Sequence, residues 1–135
     1  MNPIKYDMLE RKRDFVYSRL KLLSSLLKQK RLVGNDVHES ALCHAMQLAI
    51  AGIIDVAQHI VIEKTGKEPS SYTDAIEQLG TLRILEPKFA TDFARVAKLR
   101  NVLVHLYDNV DMKFLVSLVP KFIKDTKMFF KAVMK

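Results

Sequence analysis

Arg100, Asn101, His105 and Tyr107 fall within one octet, Arg100-Asn101-Val102-Leu103-Val104-His105-Leu106-Tyr107, a pattern R-N-x-x-x-H-x-Y. These residue types suit phosphodiester cleavage. An imidazole titrates near neutral pH and can move a proton on or off a ribose 2′-hydroxyl or a leaving oxygen. A guanidinium can grip a phosphate bidentately and stabilise the extra charge of its transition state. Neither role requires a metal. On a helix, at about 100° per residue, Asn101 and His105 share one face, and Arg100 and Tyr107 share another. Arg100 and His105 differ by five positions, or about 140°, so a rigid helix points them apart. They converge if the helix frays near His105, if the long arginine wraps round, or if two copies meet across a dimer interface. Taken alone, an arginine and a histidine on one helix carry little functional weight.

The other residues capable of chemistry are less organised. Asp55 lies inside Leu48–Ile62, LAIAGIIDVAQHIVI, flanked by Ile53, Ile54 and Val56. A carboxylate in such surroundings is costly to bury without a cation or several donors. It either rides the solvent stripe of its helix, lies at a functional surface, or pairs with an arginine from another helix. His38, Cys43, His44 and His59 are metal-capable types, but their spacings put them on different faces and no pair has zinc-site spacing, so no metal is expected. Ser24-Ser25 and Ser70-Ser71 lack a nucleophile-elbow context, and there is no glycine-rich phosphate loop. No cofactor is expected, and if ATP is used, a partner must hold it. Tyr72 faces a cleft or packs after the Pro-Ser-Ser turn; Met128, Phe129, Phe130 and Met134 read as core or a docking surface.

The elements that must position the octet are helices. From Tyr6 to about Lys30, Leu9, Val16, Leu20, Leu23 and Leu27 recur at helical spacing with charges between them. Gly34-Asn35-Asp36 ends this helix and starts the next, with Asn35 or Asp36 as N-cap and Glu39 set for a capping box. The second helix runs to about Thr65, where Gly66 offers a C-cap. Its centre holds Ala41, Ala45, Ala49, Ala51 and Gly52, which allow a neighbouring helix to approach closely. Ser71 with Asp74 opens a short third helix ending near Gly80. Pro87 suits the first turn of a fourth helix reaching toward Tyr107, and Asp111 caps a fifth that Pro120 should kink. The expected fold is all-α: an up-and-down bundle of four long helices plus a short one, with residues 1–135 as a single domain.

Composition narrows the classes. The 135 residues include only four glycines and four prolines, too few turn residues for an all-β sandwich or barrel. One cysteine, Cys43, cannot form an internal disulfide. The longest apolar run, Leu48 to Ile54, stops at Asp55, short of the roughly 18 residues of a membrane span. No membrane association and no secretory signal are expected, and the chain reads as soluble and cytoplasmic. Charge is uneven. Residues 1–35 carry nine basic against three acidic side chains, residues 113–135 six against one, and the middle is net acidic, within an overall +7. Cationic first and last elements attract a phosphate backbone, or simply keep the surface solvated.

The octet RNVLVHLY resembles the R-x-x-x-x-H-x-Y motif of the HEPN superfamily, specifically its HepT toxin branch. The stretch ALCHAMQLAIAGIIDVAQHIV is similar to that family's long second helix with its central aspartate, and EPSSYTDAIEQLGTLRIL looks like the Pro-Ser-Tyr segment that follows. The likeness covers roughly residues 5–120, in the same order of elements. It implies an all-helical homodimer that acts as a metal-independent endoribonuclease, with the cleft at the dimer interface and RNA as substrate. Arg100 and His105 would be the catalytic pair, and Asn101 matches the polar residue that often follows the arginine. Tyr107 matches the tyrosine to which a cognate antitoxin, a minimal nucleotidyltransferase, transfers AMP from ATP. Asp55 would be a supporting residue. A dimeric cleft also answers the angular separation of Arg100 and His105.

Two classes of function follow. The first is a ribonuclease toxin of a toxin–antitoxin pair. The second is a non-catalytic helical module that partners a nucleotidyltransferase and contributes a nucleotide- or RNA-binding surface.

Overall fold

Two long helices, α1 (Pro3–Leu27) and α2 (Asp36–Thr65), form the most extensive helix–helix contact. Leu9, Val16, Leu20 and Leu23 of α1 are buried, as their spacing requires, and Val16 meets α2 at Gly52. The computed structural model describes residues 3–105 and 111–135, with side chains described for 6–104 and 111–135. After α2 come α3 (Tyr72–Thr81), α4 (Pro87–Phe93), α5 (Arg95–His105) and α6 (Met112–Val133), and there is no strand among the described residues. The fold is an all-α bundle, in which α3 and α5 pack on α2 and α6 packs on α1. The aromatic end of α6 is core: Phe129 and Phe130 are buried and meet edge to face, and Tyr17 of α1 meets Phe130 in the same way.

The start and stop signals operate largely as the residues dictate. Asn35 is the N-cap of α2, its side chain accepting from the His38 N–H at 3.0 Å. Glu39 then stands one position too far along for the usual reciprocal bond and reaches back to the Gly34 N–H instead, at 2.6 Å. Gly66, with φ of 73°, ends α2 in the left-handed region and donates to the Ile62 carbonyl. By length and apolarity α2 would suffice to cross a membrane, but 61% of its most apolar 18-residue window is buried inside the bundle, so its apolarity is that of a core helix. Asp111 caps α6 by accepting from the Phe114 N–H, and α6 runs through Pro120 to Val133. Pro120 has no N–H for the Val116 carbonyl, the defect tolerated here within one helix.

The third helix ends near Gly80, at Thr81, as expected, but Gly80 itself is not the stop. The stop is at Arg83, which takes φ of 62° while Arg83 and Ile84 donate to the Gly80 and Leu79 carbonyls, a Schellman arrangement with arginine in place of glycine. Gly80 is instead a close-approach site: a Cβ there would lie 2.7 Å from the Ala90 Cβ and 3.2 Å from the Pro87 Cα. The expected fourth helix comes as two, α4 and α5, divided at Ala94. Ala94 stays right-handed, with ψ of −19°, and its carbonyl accepts from Ala97 three residues on, a tighter turn that rephases α5 relative to α4.

The small-residue centre of α2 has the consequence expected of it. A Cβ built on Gly52 would stand 2.5 Å from the Val16 Cγ2, so the crossing of α1 and α2 closes to a distance that only glycine permits. Gly52→Val is therefore expected to overpack the crossing and destabilise the fold by about 1–3 kcal/mol. Urea unfolding should show a lower midpoint with an unchanged slope, and an unchanged midpoint would mean that the helices separate freely.

Candidate functional site

The first turn of α3 is fixed by a double cap. Ser71 accepts from the Asp74 N–H at 3.0 Å, while the Asp74 carboxylate accepts from the Ser70 N–H at 2.9 Å and from the Gln78 amide at 2.7 Å. The Ser70 N–H, followed by Gln78, holds the Asp74 carboxyl below its ordinary range. This cap sets the direction of Tyr72, the first residue of α3, which is 41% exposed.

Across from it, α5 carries Arg100. The guanidinium carbon of Arg100 lies 5.3 Å from the centroid of the Tyr72 ring, a cation–π contact worth about 0.5–1 kcal/mol at an exposed site. No carboxylate pairs with Arg100 among the described residues. Its planar fork is thus steadied by a ring that leaves its charge uncancelled, which suits binding of an anion. Asn101, the next residue, is exposed and lines a cleft of about 370 Å³ together with Tyr72, Thr73, Ala97, Gln58 and Pro69. Gln58 and Pro69 also line an adjoining hollow of about 210 Å³ that contains Asp55 and His59. Asn101 and Asp55 therefore line two adjoining hollows built by α2, the loop before α3, and α5, and Arg100 stands beside the first of them against the Tyr72 ring.

Asp55 is half-exposed, as on a solvent stripe, and it is paired, with a lysine rather than an arginine. Its partner is Lys12 of α1, with Nζ 2.9 Å from Oδ2, and the two side chains are 37% and 48% exposed. The close α1–α2 crossing at Val16 and Gly52 brings Lys12, one turn before Val16, level with Asp55, one turn after Gly52. The half-exposed carboxylate needs no second donor, and such a pair contributes at most about 1 kcal/mol.

His105 is the last residue of α5, and the structure describes its backbone only. Tyr107 lies outside the described residues. One turn before the end of α5, the Gln47 amide of α2 donates to the Leu103 carbonyl at 2.9 Å. This bond ties α5 to α2 two residues before the histidine. Gln47 and Gln58 were not singled out by sequence. For Gln58 a signal existed, since it lies one turn from Asp55 on the same face. Among the described residues no three His, Cys, Asp or Glu side chains stand together as a metal site would require. Cys43 is half-buried, and burial and then Glu39 push its thiol upward, away from the reactive thiolate.

A protein-family model described as ribonuclease HepT-like matches residues 16–133. The chain belongs to the HepT-like family. A tRNA nuclease HepT from Aphanizomenon flos-aquae is 39% identical over 67 residues, which are 49% of this HepT-like chain and 45% of the relative; the match thus spans about half of either protein. Among solved structures, a tri-AMPylated HEPN toxin from Shewanella oneidensis, in complex with its MNT antitoxin, superposes with a TM-score of 0.86 at 19% identity over 98% of both chains. A toxin–antitoxin structure with AMP-PNP has the same TM-score at 17% identity, over 94% of this chain and 97% of the other. At these identities the superpositions establish the HepT-like bundle as a shared fold.

Proposed function

We propose that this single-domain HepT-like protein is a metal-independent endoribonuclease toxin of a toxin–antitoxin pair, active on RNA in the cytoplasm as a homodimer with its cleft at the interface. The observation that carries the reading is Arg100, unpaired by any described carboxylate and braced by Tyr72 at the edge of a cleft, five residues before His105 in a chain of this family. His105 removes the proton from a ribose 2′-hydroxyl, whose oxygen attacks the adjoining phosphorus. The bond to the 5′-oxygen breaks, and that oxygen leaves with the proton that the His105 imidazolium returns, giving a 2′,3′-cyclic phosphate and a 5′-hydroxyl. Arg100 neutralises the charge that grows on the non-bridging oxygens. Asn101 supports the site from the cleft wall, and Asp55, held by Lys12, from the adjoining hollow. The name of the Aphanizomenon relative makes tRNA the first substrate to test.

The partner in this reading is a minimal nucleotidyltransferase antitoxin, as in the Shewanella complex. It presents ATP to Tyr107; the phenolic oxygen attacks the α-phosphorus, and pyrophosphate leaves. AMP on Tyr107 adds negative charge and bulk on the octet, fills the phosphate site of Arg100 and repels RNA.

The test is to express the protein with and without the nucleotidyltransferase, measure intact mass, and assay each sample on total RNA. A gain of whole AMP units mapping to Tyr107, with cleavage lost in step, is the expected result. No mass change and no cleavage in either sample would instead favour a non-catalytic partner module.

A further inference from the structure

Beyond the support given by Asn101 on its wall, the steps above assign no role to the 370 Å³ cleft beside Arg100. Its volume lies within the roughly 300–1,000 Å³ typical of small-molecule sites. No side chain lining it carries a charge, so the cleft itself is not built for a phosphate. What it offers is an aromatic surface, Tyr72, which stays 41% exposed although Arg100 lies over its ring. It also offers two carboxamides, Gln58 from α2 and Asn101 from α5, that have no hydrogen-bond partner among the described residues. Each carboxamide has two donors and an acceptor. A flat π-face beside paired donor and acceptor groups is complementary to a nucleobase, whose face stacks and whose edge pairs.

We propose that this cleft is a nucleobase subsite: it takes the base of the nucleotide adjoining the phosphate gripped by Arg100, with Tyr72 as stacking platform and Gln58 and Asn101 on the base edge. The inference rests on the ribonuclease reading and adds to it how substrate is chosen. The double cap of Ser71 and Asp74 keeps Tyr72 in place, so the platform is formed before RNA arrives. Because the ring touches both the base and the guanidinium, a stacked base sets the position of its own phosphate against Arg100.

The test uses the full-length His105→Ala protein, which holds RNA without cutting it. A series of oligoribonucleotides, each abasic at one position, is titrated into this protein and into the same protein carrying Tyr72→Leu or Tyr72→Phe. Tyr72→Leu is expected to weaken binding of the intact oligoribonucleotide about tenfold, with Tyr72→Phe close to the parent. At one position the abasic substitution should cause a similar loss in the parent and no further loss in Tyr72→Leu. Losses that multiply at every position would overturn the subsite. Should the leucine variant fail to fold, Gln58→Ala in the active protein should alter base preference at the cut, and an unaltered preference also overturns it. RNA left uncut by the wild-type protein would refute the ribonuclease reading instead, while the coupling between Tyr72 and a base stays measurable.

Discussion

His105→Ala should abolish RNA cleavage, with a fall of about 10²–10⁴-fold in turnover, while helical content and unfolding midpoint stay at wild-type values. The two halves of this expectation have separate physical origins. Loss of the imidazole removes the only neutral-range proton carrier in the octet, and neither Arg100 nor Asn101 can replace it, one being permanently protonated and the other not titrating. The fold is insensitive because the described grip of α2 on α5 is made before His105, by buried Leu103 and by the Gln47 bond to the Leu103 carbonyl. Circular dichroism and gel-based cleavage of tRNA on one preparation check both halves. Full cleavage by this variant refutes the proposed chemistry; a cleavage loss accompanied by unfolding would assign His105 a structural role.

Arg100→Lys is expected to cost about a hundredfold in kcat/KM although charge is conserved. An ammonium binds a phosphate as a point charge and cannot present the two parallel N–H groups that follow the oxygens as the phosphorus becomes five-coordinate. It also loses the guanidinium's cation–π contact with Tyr72, made at 5.3 Å from the ring centroid. Steady-state cleavage of one defined RNA distinguishes the contributions: a fall in kcat reports the lost fork in the transition state, a rise in KM alone reports uniform binding. Retention of full activity by lysine would reduce Arg100 to a bulk electrostatic contributor.

Much of the fold was readable because its signals are local. Asn35, Gly66, Ser71 with Asp74, and Asp111 each terminate or start a helix through bonds spanning at most a few residues, and the structure has them in these roles. Gly80 and Arg83 show where locality fails. A glycine near a helix end suggests a stop, yet here the glycine answers to Ala90 and Pro87 of another helix, and an arginine takes the left-handed stop at a conformational cost. The turn at Ala94 has no marker, since alanine favours continuation and the apolar period passes through it. Within the site, the octet named Arg100 and Asn101 directly. The partnership of Arg100 with Tyr72, and of Asp55 with Lys12, depends on which helices become neighbours, and no spacing within one helix encodes that.

The packing of α6 on α1 has a consequence for ionic atmosphere. Two lysine- and arginine-rich segments from opposite ends of the chain are brought side by side, with Arg13 reaching Met134 across the contact. Basic side chains on two packed helices that stand within about one Debye length of one another at physiological ionic strength would act as a single cationic field. A single-stranded polyanion neutralised there would shed condensed counterions, and each phosphate engaged would add about 0.7 to the slope of log affinity against log salt. Capture of a long strand would then be governed by the salt of the medium, whereas recognition at the uncharged cleft beside Arg100 would hardly respond to it. In the proposed ribonuclease, the basic faces of α1 and α6 would set how readily a strand is held, and the cleft would set where on it the protein acts.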